Sequence, residues 1–239
     1  MTKAIILAGG LGTRLRQVVQ DVPKPMAPIN GKPFLAHQMD YWIQSGIEGF
    51  VLSVGYRRES IIEYFGDIYC GVPVTYAVED TPLGTGGGLL LAMQHLDAHD
   101  PFLLLNGDTY FDVDITELMR LHEDKEAGIT FALFKATEPD RFGGVQTSAE
   151  GRITGFYSGK ATKGQMANGG VYVVDPTAIR KSFQPDGNSV SFENDILPSL
   201  FASGCPFFGL ESDGRFVDIG VPRDYASASS VLFLRDGDD

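Results

Sequence analysis

Cysteine is nearly missing from this chain: Cys70 and Cys205 are the only two in 239 residues, and they lie far apart. A disulfide framework and a cysteine-based metal site are thereby excluded, which leaves free structural thiols. Long apolar runs are missing too. The longest, such as Leu89 to Met93, are far too short to cross a bilayer, and strand-like sequence begins at the amino terminus, so the expected setting is the cytoplasm with no membrane partner. The four histidines, His37, His95, His99 and His122, form no metal set; His95 and His99, four apart, fit a solvated pair near a helix end. Positive charge is scarce, with 19 Lys and Arg against 31 Asp and Glu and a net charge of −12, which argues against a nucleic-acid partner. Internal repeats and low-complexity linkers are absent as well.

The few cations are unevenly placed. Residues 1 to 33 hold five of them (Lys3, Arg14, Arg16, Lys24, Lys32) beside a single acid, Asp21, which favours a small polyphosphate ligand there. In the stretch Ile5 to Met26, an apolar run suited to a buried strand breaks at Gly9, Gly10 and Gly12. Glycines let backbone N–H groups converge on anionic oxygens, Arg14 adds a guanidinium fork, and Pro23 and Pro25 fix the backbone around Lys24. Two better-known phosphate loops do not fit. A dinucleotide fingerprint counted from Gly10 would need glycine at Leu15, and no Gly-Lys-Ser/Thr follows these glycines. The plain readings are a glycine turn that is structure alone and Lys24 as an exposed loop lysine.

With 43% hydrophobic and 21% charged residues the chain reads as one globular α/β domain. Leu35, Met39, Trp42 and Ile43 recur at helical spacing and Gly46 ends the pattern. A strand over Phe50 to Tyr56, a short helix around Ile61 to Phe65 and a strand over Val74 to Val78 follow. Glu79 to Gly88 forms a second glycine-rich turn, continued by a helix from Leu89 to Leu96. Phe102 to Leu105 is a buried strand running into Asn106-Gly107-Asp108. Asp114 and Glu117 cap a helix. Beyond the strand Ile129 to Phe134 the texture changes to turn-rich strands, then a helix over Ser191 to Phe201, a strand over Phe216 to Ile219 and a last helix opened by Pro222. The alternation predicts a Rossmann-like, mixed but mostly parallel sheet flanked by helices, with ligands at the carboxyl ends of the strands.

Leu7-Ala8-Gly9-Gly10-Leu11-Gly12-Thr13-Arg14-Leu15, followed by Pro23-Lys24-Pro25-Met26, resembles the signature of the sugar-1-phosphate nucleotidylyltransferases, which join a nucleoside triphosphate to a sugar phosphate. The resemblance covers nearly the whole chain. It implies a single GT-A-like domain over residues 1–235, nucleotide-binding up to about 136 and sugar-binding from about 137, with a frayed tail at 236–239. It implies that Leu7, Ala8, Gly9, Gly10, Gly12, Thr13 and Arg14 cradle the nucleotide, with Asn106 and Gly107 beside them. Pro82, Gly84 and Thr85 would close over the base. Arg14 would hold the departing β- and γ-phosphates, and Lys24 would bridge the α-phosphate and the sugar phosphate. Asp108 and Asp218, at two strand ends, would bind Mg²⁺, which takes one or two carboxylates plus phosphate oxygens.

For the sugar phosphate the resemblance points to Lys24, Gly143, Lys160, Asn168, Gly169, Glu193 and Asp195, although Glu193 and Asp195 equally suit a first helical turn. The family's usual Tyr-Gly appears here as Phe142-Gly143, without the hydroxyl. Glu79 bears on the base: a carboxylate only accepts hydrogen bonds, and guanine presents two adjacent donors, though relatives using other bases carry a glutamate near this place. Segments such as Gly31-Lys32-Pro33-Phe34-Leu35, Asn168-Gly169-Gly170-Val171-Tyr172 and Asp218-Ile219-Gly220-Val221-Pro222 resemble the branch of D-glycero-α-D-manno-heptose 1-phosphate guanylyltransferases, which serves capsule, S-layer or lipopolysaccharide glycans. The alternatives are a mannose-1-phosphate guanylyltransferase, a uridylyltransferase acting on N-acetylmuramate or another hexose phosphate, and a catalytically inactive nucleotide-sugar-binding protein, which would be expected to lose Arg14, Lys24 or a metal acid. A glycosyltransferase would show Asp-x-Asp at a strand end; Asp112-Val113-Asp114 matches by letters only. The implied partners are small-molecule substrates, and a homodimer is compatible with the sequence.

Overall fold

The computed structural model describes residues 2–10, 15, 19, 22–139, 141–184 and 188–233, the side chains of residues 157–160 excepted. In chain order the elements are β1 (Lys3–Leu7), β2 (Pro28–Ile29), β3 (Lys32–Pro33), α1 (Phe34–Gln44), β4 (Gly49–Val54), α2 (Arg58–Phe65), β5 (Ile68–Tyr69), β6 (Val72–Val78), α3 (Gly84–Ala92), β7 (Phe102–Asn106) and β8 (Thr109–Phe111). They continue with α4 (Ile115–Asp124), β9 (Ile129–Lys135), β10 (Gly143–Thr147), β11 (Ile153–Lys160), β12 (Met166–Val174), α5 (Pro176–Ser182), α6 (Leu197–Ala202), β13 (Phe207–Glu211), β14 (Phe216–Asp218) and α7 (Pro222–Leu232).

Ten strands make one mixed, mostly parallel sheet around β1. β1 pairs in parallel with β4 on one side and β7 on the other, so the strand order reverses about β1 and opens a crevice at its carboxyl end. β6 continues the parallel run beside β4. On the far side β12 runs antiparallel between β7 and β9, and a register shift between Asn168 and Tyr172 bends it.

The buried strands alternate between two apolar layers. Ala4 and Ile6 pack with Leu35, Met39 and Trp42 of α1, whereas Ile5 packs with Leu89 and Ala92 of α3. Truncating a side chain as deeply buried as Trp42, 1% exposed, costs roughly 3–5 kcal/mol. A third apolar group, with Ile29, Phe34, Val217, Ile219 and Ala228, ties the β2–β3 hairpin and the β8–β14 ribbon to α7. Among the described residues no helix is long and apolar enough to cross a membrane.

Two helices differ from the sequence reading. α3 starts at Gly84 rather than Leu89, because the N–H groups of Gly86 and Gly87 are both taken up by the Val190 carbonyl, 2.8 and 3.2 Å away. Tertiary hydrogen bonds override the poor helix propensity of glycine there. Ser191 to Phe201 is not one helix: a π-helical turn, Phe192–Ile196, precedes α6, and the break lets Pro198 fall in the first turn of α6.

Candidate active site

Lys24 opens a short 3-10 turn, Lys24–Met26, whose entry is fixed by Pro23 at φ −65°. Its side chain is 10% exposed, so it is not a loop lysine in solvent; its ammonium lies 2.5 Å from Asp108 Oδ2 and 3.8 Å from Asp218 Oδ1. Asp108 follows β7 through a turn that packs directly on the end of β1: Gly107 N–H donates to Leu7 O at 3.0 Å, and a Cβ on Gly107 would stand 2.5 Å from that oxygen. Only glycine fits there. Asp218 ends β14, opposite Thr109 of β8, and Ile219 N–H donates to Asp108 O at 3.0 Å, so the ribbon holds the two acids at a set separation. Burial pushes the Asp218 carboxyl above its ordinary range and the Asp108 charge adds to it, while Lys24 and the Gly220 N–H, 2.6 Å from Oδ1, pull it back.

Two cavities meet at this cluster. The first, about 540 Å³, is lined by Leu7, Ala8, Gly9 and Gly10 at the carboxyl end of β1. Its wall continues through Glu79, Pro82, Gly84 and Thr85, and then through Asn106, Gly107 and Asp108. The second, about 430 Å³, shares Asn106 and Glu193 with the first and reaches Gly143, Asn168, Gly169 and Asp218. The described residues among those expected to bind the nucleotide therefore share one cavity, and most of those expected to bind the sugar share its neighbour. Gly12, Thr13 and Arg14 lie outside the described residues. Lys160 ends β11 opposite Gly143, with its side chain outside what is described.

Glu79 is nearly buried, and both its oxygens are engaged within the protein. Oε1 accepts from Ser53 Oγ at 2.9 Å and Oε2 from Leu83 N–H at 3.0 Å. Its first observed task is thus to hold the loop that leads into α3, while it also lines the first cavity. The missing Cβ of Gly9 makes room for it, since one there would stand 2.5 Å from Glu79 Oε1.

Glu193 bridges the cavities through the π-helical turn. Its Oε2 accepts from Thr85 Oγ1 at 2.9 Å, and Thr85 Oγ1 in turn accepts from Phe192 N–H at 2.8 Å. Asp195 lines neither cavity: it is exposed, and its carboxylate accepts from Ser191 N–H at 2.7 Å, which is the first-turn role. Asn168 lines the second cavity while bracing the bend of β12, with Oδ1 accepting from Gly170 N–H at 3.0 Å and Nδ2 donating to Tyr172 OH at 2.7 Å. Asp114 caps α4, accepting from Thr116 N–H at 2.8 Å, and Asp112 pairs with Arg215 at 2.5 Å, so neither acid of that tripeptide reaches the cluster.

Several lining residues were not foreseen. Ser53 and Ser189 border the first cavity, and Arg141 and Asn194 border the second. Arg141 is clamped by the buried Asp224 of α7 and lies 4.6 Å over the Phe142 ring. A serine in an apolar strand carries no signal in sequence, but an arginine beside Phe142-Gly143 was available to be read.

A crevice at a strand-order reversal, a glycine loop on β1 and a lysine shared by two aspartates make a site for handling phosphate. The chain belongs to the nucleotidyl transferase family, whose model matches residues 3–233. It is 40% identical over 231 residues to the D-glycero-alpha-D-manno-heptose 1-phosphate guanylyltransferase of Aneurinibacillus thermoaerophilus, covering 96% of this chain and 98% of that one. Identity to the enzyme of the same name from Campylobacter jejuni is 38% over 224 residues, covering 93% and 96%. Among solved structures, HddC from Yersinia pseudotuberculosis complexed with GMP-PN superposes with a TM-score of 0.83 at 31% identity, over 96% of this chain and 99% of that one.

Proposed function

We propose that this chain transfers GMP from GTP to D-glycero-α-D-manno-heptose 1-phosphate, giving GDP-heptose and pyrophosphate. The observation that carries the reading is the meeting of two cavities on Lys24, Asp108 and Asp218. Similarity to two heptose 1-phosphate guanylyltransferases supports the choice of substrates. In the reaction a sugar-phosphate oxygen attacks the α-phosphorus; the new P–O bond forms as the bond to the β-phosphate oxygen breaks, and pyrophosphate leaves with that electron pair. The attacking oxygen is already ionised at pH 7, so the site needs no base, only alignment and neutralisation.

The triphosphate belongs in the first cavity, with Gly9 and Gly10 N–H groups facing its oxygens, and the sugar belongs in the second. Lys24, at their junction, is placed for the phosphate that passes between them. Arg14 takes the departing phosphates by family resemblance. The acid pair suits Mg²⁺: two hard oxygen donors already gather one positive charge between them, leaving further coordination positions for phosphate. Asp108 and Asp218 would hold the ion, which when bound supplies charge neutralisation. We place the reaction in the cytoplasm, with the product feeding surface-glycan assembly such as capsule or lipopolysaccharide.

The test is pyrophosphate release with Mg²⁺, crossing GTP, ATP, CTP, UTP and dTTP against heptose, mannose, glucose and N-acetylhexosamine 1-phosphates. Turnover confined to GTP with the manno-heptose phosphate is expected. Turnover with GTP and mannose 1-phosphate alone would move the sugar assignment, and none with any pair would overturn the transferase reading.

A further inference from the structure

We infer that Gln38 is a positioning residue for this reaction: its side-chain amide, buried in α1, fixes the turn that carries Asp108. Gln38 is 1% exposed and belongs to the buried face of α1 with Leu35, Met39 and Trp42. A polar side chain in such a layer is costly unless it is bonded. Its Nε2 donates twice, to Asn106 O at 2.9 Å and to Thr109 O at 2.6 Å. Those two carbonyls bracket Gly107-Asp108, so the single NH₂ group spans the base of the turn and uses both of its hydrogens on it.

The other half of the amide argues the same way. Gln38 Oε1 is buried without a partner. An unpaired buried carbonyl costs stability, and a leucine or methionine in this position would avoid it. Turning the amide over would set Oε1 against two carbonyl oxygens, so the donor assignment follows from the contacts. What remains to justify a glutamine in this layer is what its NH₂ holds. The hold extends beyond Asp108: Thr109 lies opposite Asp218 across the β8–β14 ribbon, and Asp108 O accepts from Ile219 N–H at 3.0 Å. Gln38 therefore sets the spacing of both acids from behind, without touching substrate.

The inference rests on the reading of Asp108 and Asp218 as the metal acids, and the experiment separates the two. Mn²⁺ binding is followed by electron paramagnetic resonance in the presence of a non-hydrolysable GTP analogue, alongside steady-state kinetics, for the wild type, Asp108→Asn, Gln38→Met and Gln38→Glu. In Gln38→Met, which keeps length and loses both donors, kcat is expected to fall on the order of 10-fold to 10²-fold, as for a displaced catalytic group, and Mn²⁺ affinity about 10-fold. KM for the sugar phosphate should stay within about twofold, whereas KM for GTP, which arrives with its metal, should rise along with the loss of Mn²⁺ affinity. Gln38→Glu supplies a second handle. Its buried carboxyl donates one hydrogen bond while protonated and repels both carbonyls once ionised, so its kcat should drop with rising pH in a limb that the wild type lacks.

Wild-type Mn²⁺ binding that Asp108→Asn leaves untouched would overturn the metal reading, and the inference with it. Binding that needs Asp108 but is unchanged in both Gln38 variants, with kcat unchanged or lowered only in step with the melting temperature, would overturn the inference alone.

Discussion

Lys24 is a counter-ion in the fold, and the proposed function makes it a catalytic group as well. Its ammonium answers two carboxylates, one of them pushed upward by burial and by its neighbour. Replacing it with methionine is expected to lower kcat on the order of 10²-fold or more, the scale of losing one preorganised donor. The same change leaves the acids facing each other, so Mg²⁺ should raise the melting temperature of Lys24→Met by more than that of the wild type. Pyrophosphate release and thermal melts with and without Mg²⁺ check both halves, and wild-type turnover in the variant would remove Lys24 from the chemistry. At this scale the sequence was legible where a residue type is rare in its setting: a lysine between prolines, an acid ending an apolar strand. Gln38 carries such a signal as well, a polar residue on the buried face of an otherwise apolar helix pattern. Ser189 had none, since its place in the site depends on a fold that brings it to Gly84.

Among the elements, the junction of α3 with the π-helical turn couples the two cavities. The loop before α3 lines the first cavity and the turn lines the second, joined by Val190 N–H to Leu83 O at 2.8 Å and by the Thr85–Glu193 hydrogen bond. In Thr85→Val, which removes both hydrogen bonds of Oγ1, both KM values are expected to rise by at least about fivefold, the worth of a single hydrogen bond, with kcat less affected. Measuring the two KM values separately checks it; a change confined to one substrate would mean the contact serves one cavity only. Most strands were legible because apolar runs bounded by glycine or proline mark buried parallel strands. The start of α3 was not, because its glycines become helical only once Val190 receives their N–H groups. The π-helical turn was not either, as a wider hydrogen-bonded ring has no residue signature.

Across the whole molecule, stability should depend on pH through a residue remote from the site. His122 of α4 is buried, with Nδ1 3.0 Å from Thr130 Oγ1, and desolvation lowers its pKa from 6.5 to about 4 against a small opposing pull from Asp175. The unfolded chain takes up this proton first. The stability of keeping it neutral is complete above pH 6.5 and is lost as pH falls toward 4, by up to about 3 kcal/mol. In His122→Phe, the slope of folding free energy between pH 6.5 and 4.5, from denaturant titrations, should be shallower than in the wild type; an equal slope would assign the acid sensitivity elsewhere.

The ammonium seated on Asp108 and Asp218 also sets an order of arrival on the proposed reading. A free cation approaching from solution finds its seat held by a tethered rival whose local concentration no dilution can lower. A cation already wrapped in triphosphate meets no such contest, because the phosphate oxygens receive the lysine as the acids receive the metal: partners are exchanged, and none is left alone. On that reading nucleotide and magnesium would enter as one chelate, and without them the lysine would keep the two acids balanced.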